Sequence, residues 1–282
     1  ATSAIEMSLW DIEGKKKNEP LYKILSSEYR DKVPVYATIW SEDFKNDETL
    51  SSRCEEILSQ DYGGIKIYPL QKRTIDEAAI CVSKIRKTLG FNIPLMLDLA
   101  CPKDTKISLK LAPLVKEFKP YWFEEPVDGE ATRALKYIKN QTGLRIVTGE
   151  KQCGINHFIE TLSADAVDIF NPDISSIGGI IDMINIIELS NKNNVRVSPH
   201  CWNSMSIAAS AMVHLCMSFP NTEMAEFFPE YIPYTLKFCD KNFEINNGFI
   251  ELDNREGLGV KIDTNLLMEN TSSYKFSILD KN

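Results

Sequence analysis

Ile93-Pro-Leu-Met-Leu-Asp98 is a short apolar run that ends in a carboxylate, and two later runs of the chain repeat this pattern. Tyr121-Trp-Phe-Glu124 ends in a carboxylate 26 residues further on, and Arg145-Ile-Val-Thr-Gly-Glu150 ends in another after 26 more. Runs that are apolar on both alternating faces are typical of parallel strands covered by helices. The spacing corresponds to one strand and one helix per carboxylate, and it therefore places the three carboxylates on adjacent strands.

Eight β-rich runs alternate with helical patterns along most of the chain. Thr74 and Glu77 form a capping box before one helical pattern, and Gly178-Gly179 leads into another. Strands that alternate with helices eight times predict an α/β fold, a TIM-type barrel in preference to an open sheet. The eight runs are Val33–Trp40, Gly64–Tyr68, Ile93–Asp98, Tyr121–Glu124, Arg145–Glu150, Ala166–Phe170, Val195–Ser198 and Thr222–Phe228.

The rest of the chain flanks this alternation. Residues 1–32 are predicted to form a linker and helix that lead into the barrel, because Ile5, Leu9 and Ile12 recur at helical spacing. Residues 33–230 would form the barrel. Residues 231–282, which do not continue the alternation, would form a C-terminal tail that packs elsewhere.

Composition excludes several classes of partner. The 282 residues are 43% hydrophobic and 26% charged, with a formal net charge of -8, whereas proteins that bind nucleic acid or anionic membranes need a basic face. No apolar run approaches the roughly 18 residues of a membrane span. Seven cysteines without a Cys-x-x-Cys pair argue against a disulfide framework or structural zinc, so we expect a cytoplasmic protein.

Polar side chains collect at the ends of the predicted strands, the face on which TIM-type barrels carry their active sites. Several carboxylates converging there would repel one another by several kcal/mol unless a cation neutralised them. Hard oxygen ligands suit Mg²⁺; the alternative is a structural network of ion pairs. The strand-end residues are Lys66, Tyr68, Asp98, Glu124, Glu150, Asp173, His200 and Glu226.

The order and spacing of these motifs resemble the enolase superfamily, specifically its mandelate racemase/muconate lactonizing enzyme group. The resemblance implies a modified (β/α)7β barrel in which Asp98, Glu124 and Glu150 bind Mg²⁺. It also implies abstraction of a proton α to a carboxylate, giving an enediolate that the metal stabilises. The motifs are Met96-Leu-Asp98, Trp122-Phe-Glu-Glu-Pro126, Thr148-Gly-Glu150, Asn171-Pro-Asp173 with Gly178-Gly179, and Ser198-Pro-His200, within a match from Ala4-Ile-Glu-Met-Ser-Leu-Trp-Asp11 to Gly257-Leu-Gly259.

Two pairs of strand-end residues are candidates for proton transfer. Asp173 lies one strand away from His200, and a carboxylate bonded to one ring nitrogen makes the other an acid or base at neutral pH. Lys66 and Tyr68 are two residues apart and so share one side of a strand. The group commonly has Lys-x-Lys there; Tyr68 is then either a base whose pKa Lys66 and the metal depress, or a residue that only binds substrate.

The neighbours of the carboxylates have further expected roles. Glu226 matches the glutamate of the eighth strand in the family; it would bind the substrate carboxylate as a neutral acid or pair with a neighbour. We expect Glu125 to point behind the strand and pair with a lysine, and Lys151 to point away from Glu150. Ala100 replaces the Asn or His that the family often carries, which weakens any inference about the substrate.

The resemblance also implies an N-terminal capping domain whose loops select the substrate. This sequence begins where the linker to the barrel begins, so we expect it to lack the cap on which residues 231–282 would pack. The barrel mouth and residues 243–262 would then be unusually exposed or ordered only by a neighbouring molecule.

Three functions remain open at this point. The leading hypothesis is a Mg²⁺-dependent lyase that dehydrates a sugar acid; the alternatives are a racemase or epimerase of a 2-hydroxy acid and a catalytically silent barrel fragment. The expected partner is a small-molecule carboxylate, with neither nucleic acid nor membrane, and we expect a homo-oligomer in the full-length form.

Overall fold

Among residues 1–40, 46–202 and 206–270, which the computed structural model describes, eight parallel strands form a closed barrel. Neighbouring strands pair in chain order, β8 pairs with β1, and a bridge between Val197 and Thr222 closes the ring. The predicted TIM-type barrel is therefore confirmed. Its strands are β1 (Val33–Thr38), β2 (Ile65–Ile67), β3 (Leu95–Asp98), β4 (Trp122–Glu124), β5 (Ile146–Thr148), β6 (Ile169–Phe170), β7 (Arg196–Val197) and β8 (Ala225–Phe227).

Helices cover the outside of the barrel. The predicted capping box is present at the start of α4, where the Thr74 side chain accepts a hydrogen bond from the Glu77 N–H and the Glu77 carboxylate accepts one from the Thr74 N–H. Such a cap contributes on the order of 1 kcal/mol to a helix. The helices are α1 (Thr2–Lys17), α2 (Leu21–Leu25), α3 (Asp47–Leu58), α4 (Ile75–Leu89), α5 (Thr105–Val115) with a 3₁₀ turn (Lys116–Phe118), α6 (Thr132–Thr142), α7 (Ile155–Ser163), α8 (Ile174–Ile177), α9 (Ile180–Lys192), α10 (Ser206–Ser218), α11 (Ile232–Thr235) and α12 (Thr264–Asn270).

A small apolar cluster fills the inside of the barrel. Tyr36 and Trp122 pack edge to face, with ring centroids 5.3 Å apart, among buried Met96, Val147 and Ile169. Side chains two residues apart on a strand share one face. The next inward position on β3 and β4 therefore carries a carboxylate, directly above this apolar layer.

The C-terminal tail adds a hairpin to the barrel sheet. β9 (Phe243–Asn246) and β10 (Phe249–Leu252) are antiparallel, and β10 pairs with the start of β1. The turn between them has positive φ at Asn247 and Gly248, as a tight hairpin requires. The expected exposure of residues 243–262 is wrong for Ile250 and Leu258, which are buried because the tail packs on β1, α1 and α10.

The boundaries at residues 32 and 230, and the packing of residues 231–282 on a second domain, stay predictions. Residues 271–282 of that tail lie outside the described residues. Within the described part of the chain, no helix combines the length and the apolar character needed to cross a lipid bilayer.

Candidate active site

Three carboxylates converge at the carboxyl ends of β3, β4 and β5. Asp98 and Glu124 are opposite each other in the paired strands, and Glu150 follows the end of β5. One oxygen of each lies within 4.8 Å of the other two. Asp98 and Glu124 are almost completely buried, whereas Glu150 is partly exposed. The structure thus brings the predicted metal ligands together.

This convergence is electrostatically unfavourable without a cation. Burial raises the pKa of Asp98 to about 7, opposed by Lys66 and reinforced by the charge of Glu150. Burial likewise raises the pKa of Glu124 well above its usual range, and the charges of Asp98 and Glu226 add to the rise. A cluster of hard oxygen donors that resists ionisation fits a small divalent cation, since such a cation offsets the repulsion.

Lys66 is the internal countercharge of the cluster. Its Nζ lies 2.6 Å from Glu124 Oε1 and 2.7 Å from Glu226 Oε1, and 3.9 Å from Asp98 Oδ2. The lysine is completely buried, and burial by itself would lower its pKa. The neighbouring carboxylates outweigh burial, so that the pKa of Lys66 is raised above its usual range. Lys66 therefore lies beneath the cluster as a permanent cation.

Neighbouring side chains orient Glu124. Trp122 Nε1 donates to Glu124 Oε2 at 2.7 Å, and Asn171 Nδ2 donates to Glu124 Oε1 at 3.0 Å. Hydrogen bonds of this kind hold a metal-ligating carboxylate in a fixed orientation. Asn171 belongs to a predicted motif, but its role beside Glu124 was not foreseen from the sequence.

Asp173 and His200 form the predicted dyad. His200 Nδ1 lies 2.7 Å from Asp173 Oδ2, and His200 Nε2 lies 3.2 Å from Glu150 Oε2. Burial alone would lower the pKa of His200, but the charges of Glu226, Asp173 and Glu150 outweigh it and raise the pKa to about 9. Asp173 also accepts the Ser175 N–H at the start of α8, which fixes its orientation. The imidazole is therefore held with Nε2 beside the carboxylate cluster.

Tyr68 lines the same cleft with only 8% of its surface exposed. Burial raises the pKa of Tyr68 well above its usual range, the charge of Asp98 adds to the rise, and Lys66 opposes it without overcoming it. Lys66 thus lowers the pKa of Tyr68 as expected, but burial outweighs it. The role of Tyr68 as a base with a bound cation stays a prediction.

The side chains surround a cleft of about 530 Å³ at the barrel mouth. Pockets of this size accommodate small molecules. It is lined by Trp40, Tyr68, Asp98, Ala100, Glu150, Lys151, Asp173, Ser175, Ser176, His200 and Trp202.

Comparison with known proteins identifies the family of this barrel. The model for enolase C-terminal domain-like proteins matches residues 49–266. The chain belongs to the enolase C-terminal domain-like family. The enolase superfamily membership that the motifs predicted is therefore confirmed.

Individual relatives of this enolase-like barrel differ in identity and in coverage. A solved enolase from the environmental genome shotgun sequencing of the Sargasso Sea is 46% identical, with a TM-score of 0.93 over 96% of this chain and 72% of that one. The 3,6-anhydro-D-galactonate cycloisomerase of Zobellia galactanivorans is 30% identical, with a TM-score of 0.89 over 97% of this chain and 76% of that one. The D-gluconate dehydratase of Thermoproteus tenax is 24% identical over 95% of this chain, which spans only 55% of that relative.

Glu226, for which two roles are expected, lies among several polar partners in this family member. Glu226 is completely buried and accepts hydrogen bonds from Thr38 Oγ1 and, at 2.9 Å, from the Cys201 N–H. Burial raises its pKa, but the charges of Lys66 and His200 outweigh burial and lower the pKa. Glu226 therefore pairs with Lys66 at 2.7 Å, as one of the two expected roles requires, and its binding of substrate stays a prediction.

Two neighbours of the carboxylate cluster, Glu125 and Lys151, have partners other than those expected. Glu125 accepts hydrogen bonds from Thr148 Oγ1 at 2.7 Å and from Cys101 Sγ at 2.7 Å, so the expected lysine pair is wrong. Lys151 lines the cleft, with Nζ 3.6 Å from Glu150 Oε1 and 2.9 Å from Cys101 Sγ, so it does not point away from Glu150. Strand alternation fails here because Glu125 has a φ of 43° and Glu150 lies beyond the end of β5.

Proposed function

We propose that the protein dehydrates sugar acids in a Mg²⁺-dependent reaction that begins with removal of the proton α to the carboxylate. The observation that carries the proposal is the distance of 3.2 Å between His200 Nε2 and Glu150 Oε2. A group able to transfer a proton thus lies beside three convergent carboxylates at the mouth of an enolase-like barrel. The names of curated relatives, which include D-gluconate dehydratase, support a sugar acid as substrate.

Asp98, Glu124 and Glu150 would hold the cation. When bound, the cation would supply positive charge to the site. This charge would offset the carboxylates that hold the proton on His200, and it would stabilise negative charge on the substrate. Lys66 and Glu226 lie beneath these ligands; they balance charge and do not touch the substrate.

His200 and Asp173 would transfer protons at both stages. Neutral His200 Nε2 takes the α-proton while Asp173 holds Nδ1–H and stabilises the imidazolium. The imidazolium then returns a proton to the departing 3-hydroxyl, so that the acid loses one water and the resulting enol becomes a 2-keto-3-deoxy acid. One group on one face suffices for this sequence.

Tyr68 would bind the substrate as a neutral phenol. Its hydroxyl lines the same cleft as His200, and without a cation burial favours the protonated form, which donates a hydrogen bond to the substrate.

The test uses D-gluconate and D-galactonate with Mg²⁺ in D₂O. Exchange of the α-proton is followed by ¹H NMR, and a 2-keto product is detected with semicarbazide. We expect α-proton exchange and the 2-keto product with the unaltered protein, and neither with His200→Asn. Tyr68→Phe should retain exchange but bind the substrate more weakly. His157→Asn is a control for the same substitution on α7, outside the barrel.

Other outcomes would overturn parts of the proposal. Inversion of the α-carbon without a keto product would make the protein an epimerase. Loss of exchange in Tyr68→Phe alone would make Tyr68 the base. Absence of exchange with every sugar acid, despite Mg²⁺ binding, would make the barrel catalytically silent.

A further inference from the structure

The chain leaves the extended conformation at each of the three strand ends that carry a carboxylate of the cluster. Glu125, directly after Glu124, has a φ of 43°, and Gly149, directly before Glu150, has a φ of 142°. Ala100, just past the end of β3, has a φ of 52°. A positive φ is unfavourable for residues other than glycine and persists only where surrounding contacts hold it.

The Glu125 carboxylate bonds to the chain at two of these strand ends. Its Oε1 accepts hydrogen bonds from Thr148 Oγ1 at 2.7 Å and from the Gly149 N–H at 3.2 Å, in the two residues that precede Glu150. Its Oε2 accepts one from Cys101 Sγ at 2.7 Å, beyond the end of β3. Glu125 is completely buried, so water does not compete for these bonds. One carboxylate next to β4 therefore holds the chain that follows β3 and the end of β5.

The bonds on the β3 side lead to a carboxylate of the cluster. The Cys101 N–H also donates to the Glu125 carbonyl oxygen, at 3.0 Å, so both the backbone and the side chain of Cys101 are held. The preceding residue, Ala100, donates its N–H to Asp98 Oδ1 at 2.7 Å. A shift of Cys101 would therefore move the N–H that orients Asp98.

A small divalent cation is sensitive to such shifts. Mg²⁺ needs oxygen ligands about 2.0–2.1 Å away in near-octahedral geometry, whereas Ca²⁺ accepts more ligands, about 2.3–2.6 Å away, in a flexible arrangement. Glu125 acts on the chain next to Asp98 and next to Glu150, and so on the distance between these two ligands. None of the roles proposed above uses Glu125.

We propose that Glu125 is a positioning residue for the cation: it holds the ends of β3 and β5 so that the spacing of Asp98 and Glu150 suits Mg²⁺ in preference to a larger cation. This inference rests on the Mg²⁺ site of the proposed function and deepens it. Glu125 is not among the described residues that line the cleft, and it acts through its neighbours.

The test measures the affinities for Mg²⁺ and for Ca²⁺ by calorimetry without substrate. Glu125→Ala removes all the side-chain bonds, so we expect the affinity for Mg²⁺ to fall about 10- to 100-fold. The affinity for Ca²⁺ should fall less than about threefold, because Ca²⁺ tolerates irregular spacing. The ratio of the two affinities is the readout, since a general loss of stability would lower both.

Glu125→Gln separates position from charge. Burial raises the pKa of Glu125 and the charge of Glu150 adds to the rise, so the two carboxylates interact and loss of the charge alone would affect a bound cation. Glutamine lacks the charge but keeps an oxygen for Thr148 and Gly149, and it should therefore retain most of the preference for Mg²⁺. If glutamine lowers the ratio as much as alanine does, charge acts in place of position and the inference is overturned.

Two further variants keep the test independent of folding. Glu223→Ala is the matched control, because Glu223 accepts hydrogen bonds from both terminal nitrogens of Arg145 at 3.0 Å, at the amino ends of β5 and β8, and its loss should leave the ratio unchanged. Thr148→Val removes one donor to Glu125 at nearly constant volume, and it should lower the ratio in the same direction if Glu125→Ala fails to fold. Thermal unfolding of each variant in EDTA is measured first.

The outcomes separate this inference from the proposed function. An unchanged ratio in Glu125→Ala, or an equal change in Glu223→Ala, overturns the inference even where sugar acids are dehydrated. A ratio that falls with alanine and is retained with glutamine, in a protein that exchanges no α-proton, supports positioning and overturns dehydration. Absence of Mg²⁺ binding in the unaltered protein overturns both.

Discussion

Replacement of Lys66 by Met tests the charge balance beneath the cluster of Asp98, Glu124 and Glu150. Methionine keeps a long flexible side chain but removes the ammonium that is 2.6 Å from Glu124 and 2.7 Å from Glu226. All three side chains are completely buried, so two carboxylates lose their countercharge where water does not reach them. Breaking a buried ion pair in this way costs about 3–5 kcal/mol. We therefore expect Lys66→Met to lower the free energy of unfolding by about 4 kcal/mol.

The assay is urea unfolding at pH 7.5 with EDTA, followed by circular dichroism. A double variant, Lys66→Met with Glu226→Gln, removes one of the two orphaned charges and should recover about 2 kcal/mol of the loss. Lys136→Met is the surface control, because Lys136 forms an ion pair of 2.6 Å with Asp165, whose side chain is 72% exposed. That pair should contribute less than about 1 kcal/mol.

The free energy of unfolding of Lys66→Met should change with pH and with Mg²⁺ in a defined direction. In Lys66→Met the pKa of Glu124, which burial already raises, should rise further, and Glu226 should lose the main charge that lowers its pKa, so the folded state binds protons more readily. The stability of the variant should accordingly be lost as pH rises through those raised values and be regained at lower pH. Mg²⁺ should stabilise the variant more than the unaltered protein. If Lys66→Met lowers the free energy of unfolding no more than Lys136→Met does, Lys66 is not a buried countercharge.

Three further predictions concern the metal, a buried histidine and a helix N-terminus. Glu124→Gln should abolish the Mg²⁺-dependent rise in melting temperature, whereas Glu130→Gln, in an exposed loop, should retain it; equal Mg²⁺ affinity in both would exclude Glu124 as a ligand. Burial lowers the pKa of His214 to about 4, below the unfolded value of 6.5. The free energy of unfolding should therefore fall by about 3 kcal/mol as pH falls from 6.5 to 4. His214→Gln should lack this part of the pH dependence when urea unfolding is measured at each pH. Glu6 accepts two backbone N–H groups at the start of α9, so Glu6→Ala should cost about 1 kcal/mol in urea unfolding, and no change would show that water replaces the cap.

The barrel and its carboxylates could be predicted because both depend on strand periodicity. Asp98, Glu124 and Glu150 each follow an apolar run at a spacing of 26 residues, and parallel strands bring their ends to one edge. The same regularity placed Asp173 beside His200, which the structure pairs directly. The positions of these side chains depend on the order of the strands in the barrel. An error of one or two residues in a predicted strand boundary therefore does not change which side chains meet.

Side chains just past the strand ends could not be predicted in the same way. The backbone leaves the extended conformation there: Ala100, Cys101 and Glu125 all have positive φ. Alternation of faces no longer holds at such positions, which is why Lys151 lines the cleft and Glu125 bonds to a thiol and a hydroxyl. At Ala100, Cys101 and Glu125 no glycine marks the bend in the sequence, whereas Gly149, with a φ of 142°, precedes Lys151.

The raised pKa values of Tyr68 and His200 have different causes. Burial is the main cause at Tyr68, and the charge of Asp98 adds to the rise. At His200 burial acts in the opposite direction and would lower the pKa, but Glu226, Asp173 and Glu150 raise it to about 9. Lys66 lowers the pKa of both groups without reversing either rise. Because the causes differ, the behaviour of one group does not follow from that of the other, and α-proton exchange must be measured separately in His200→Asn and in Tyr68→Phe.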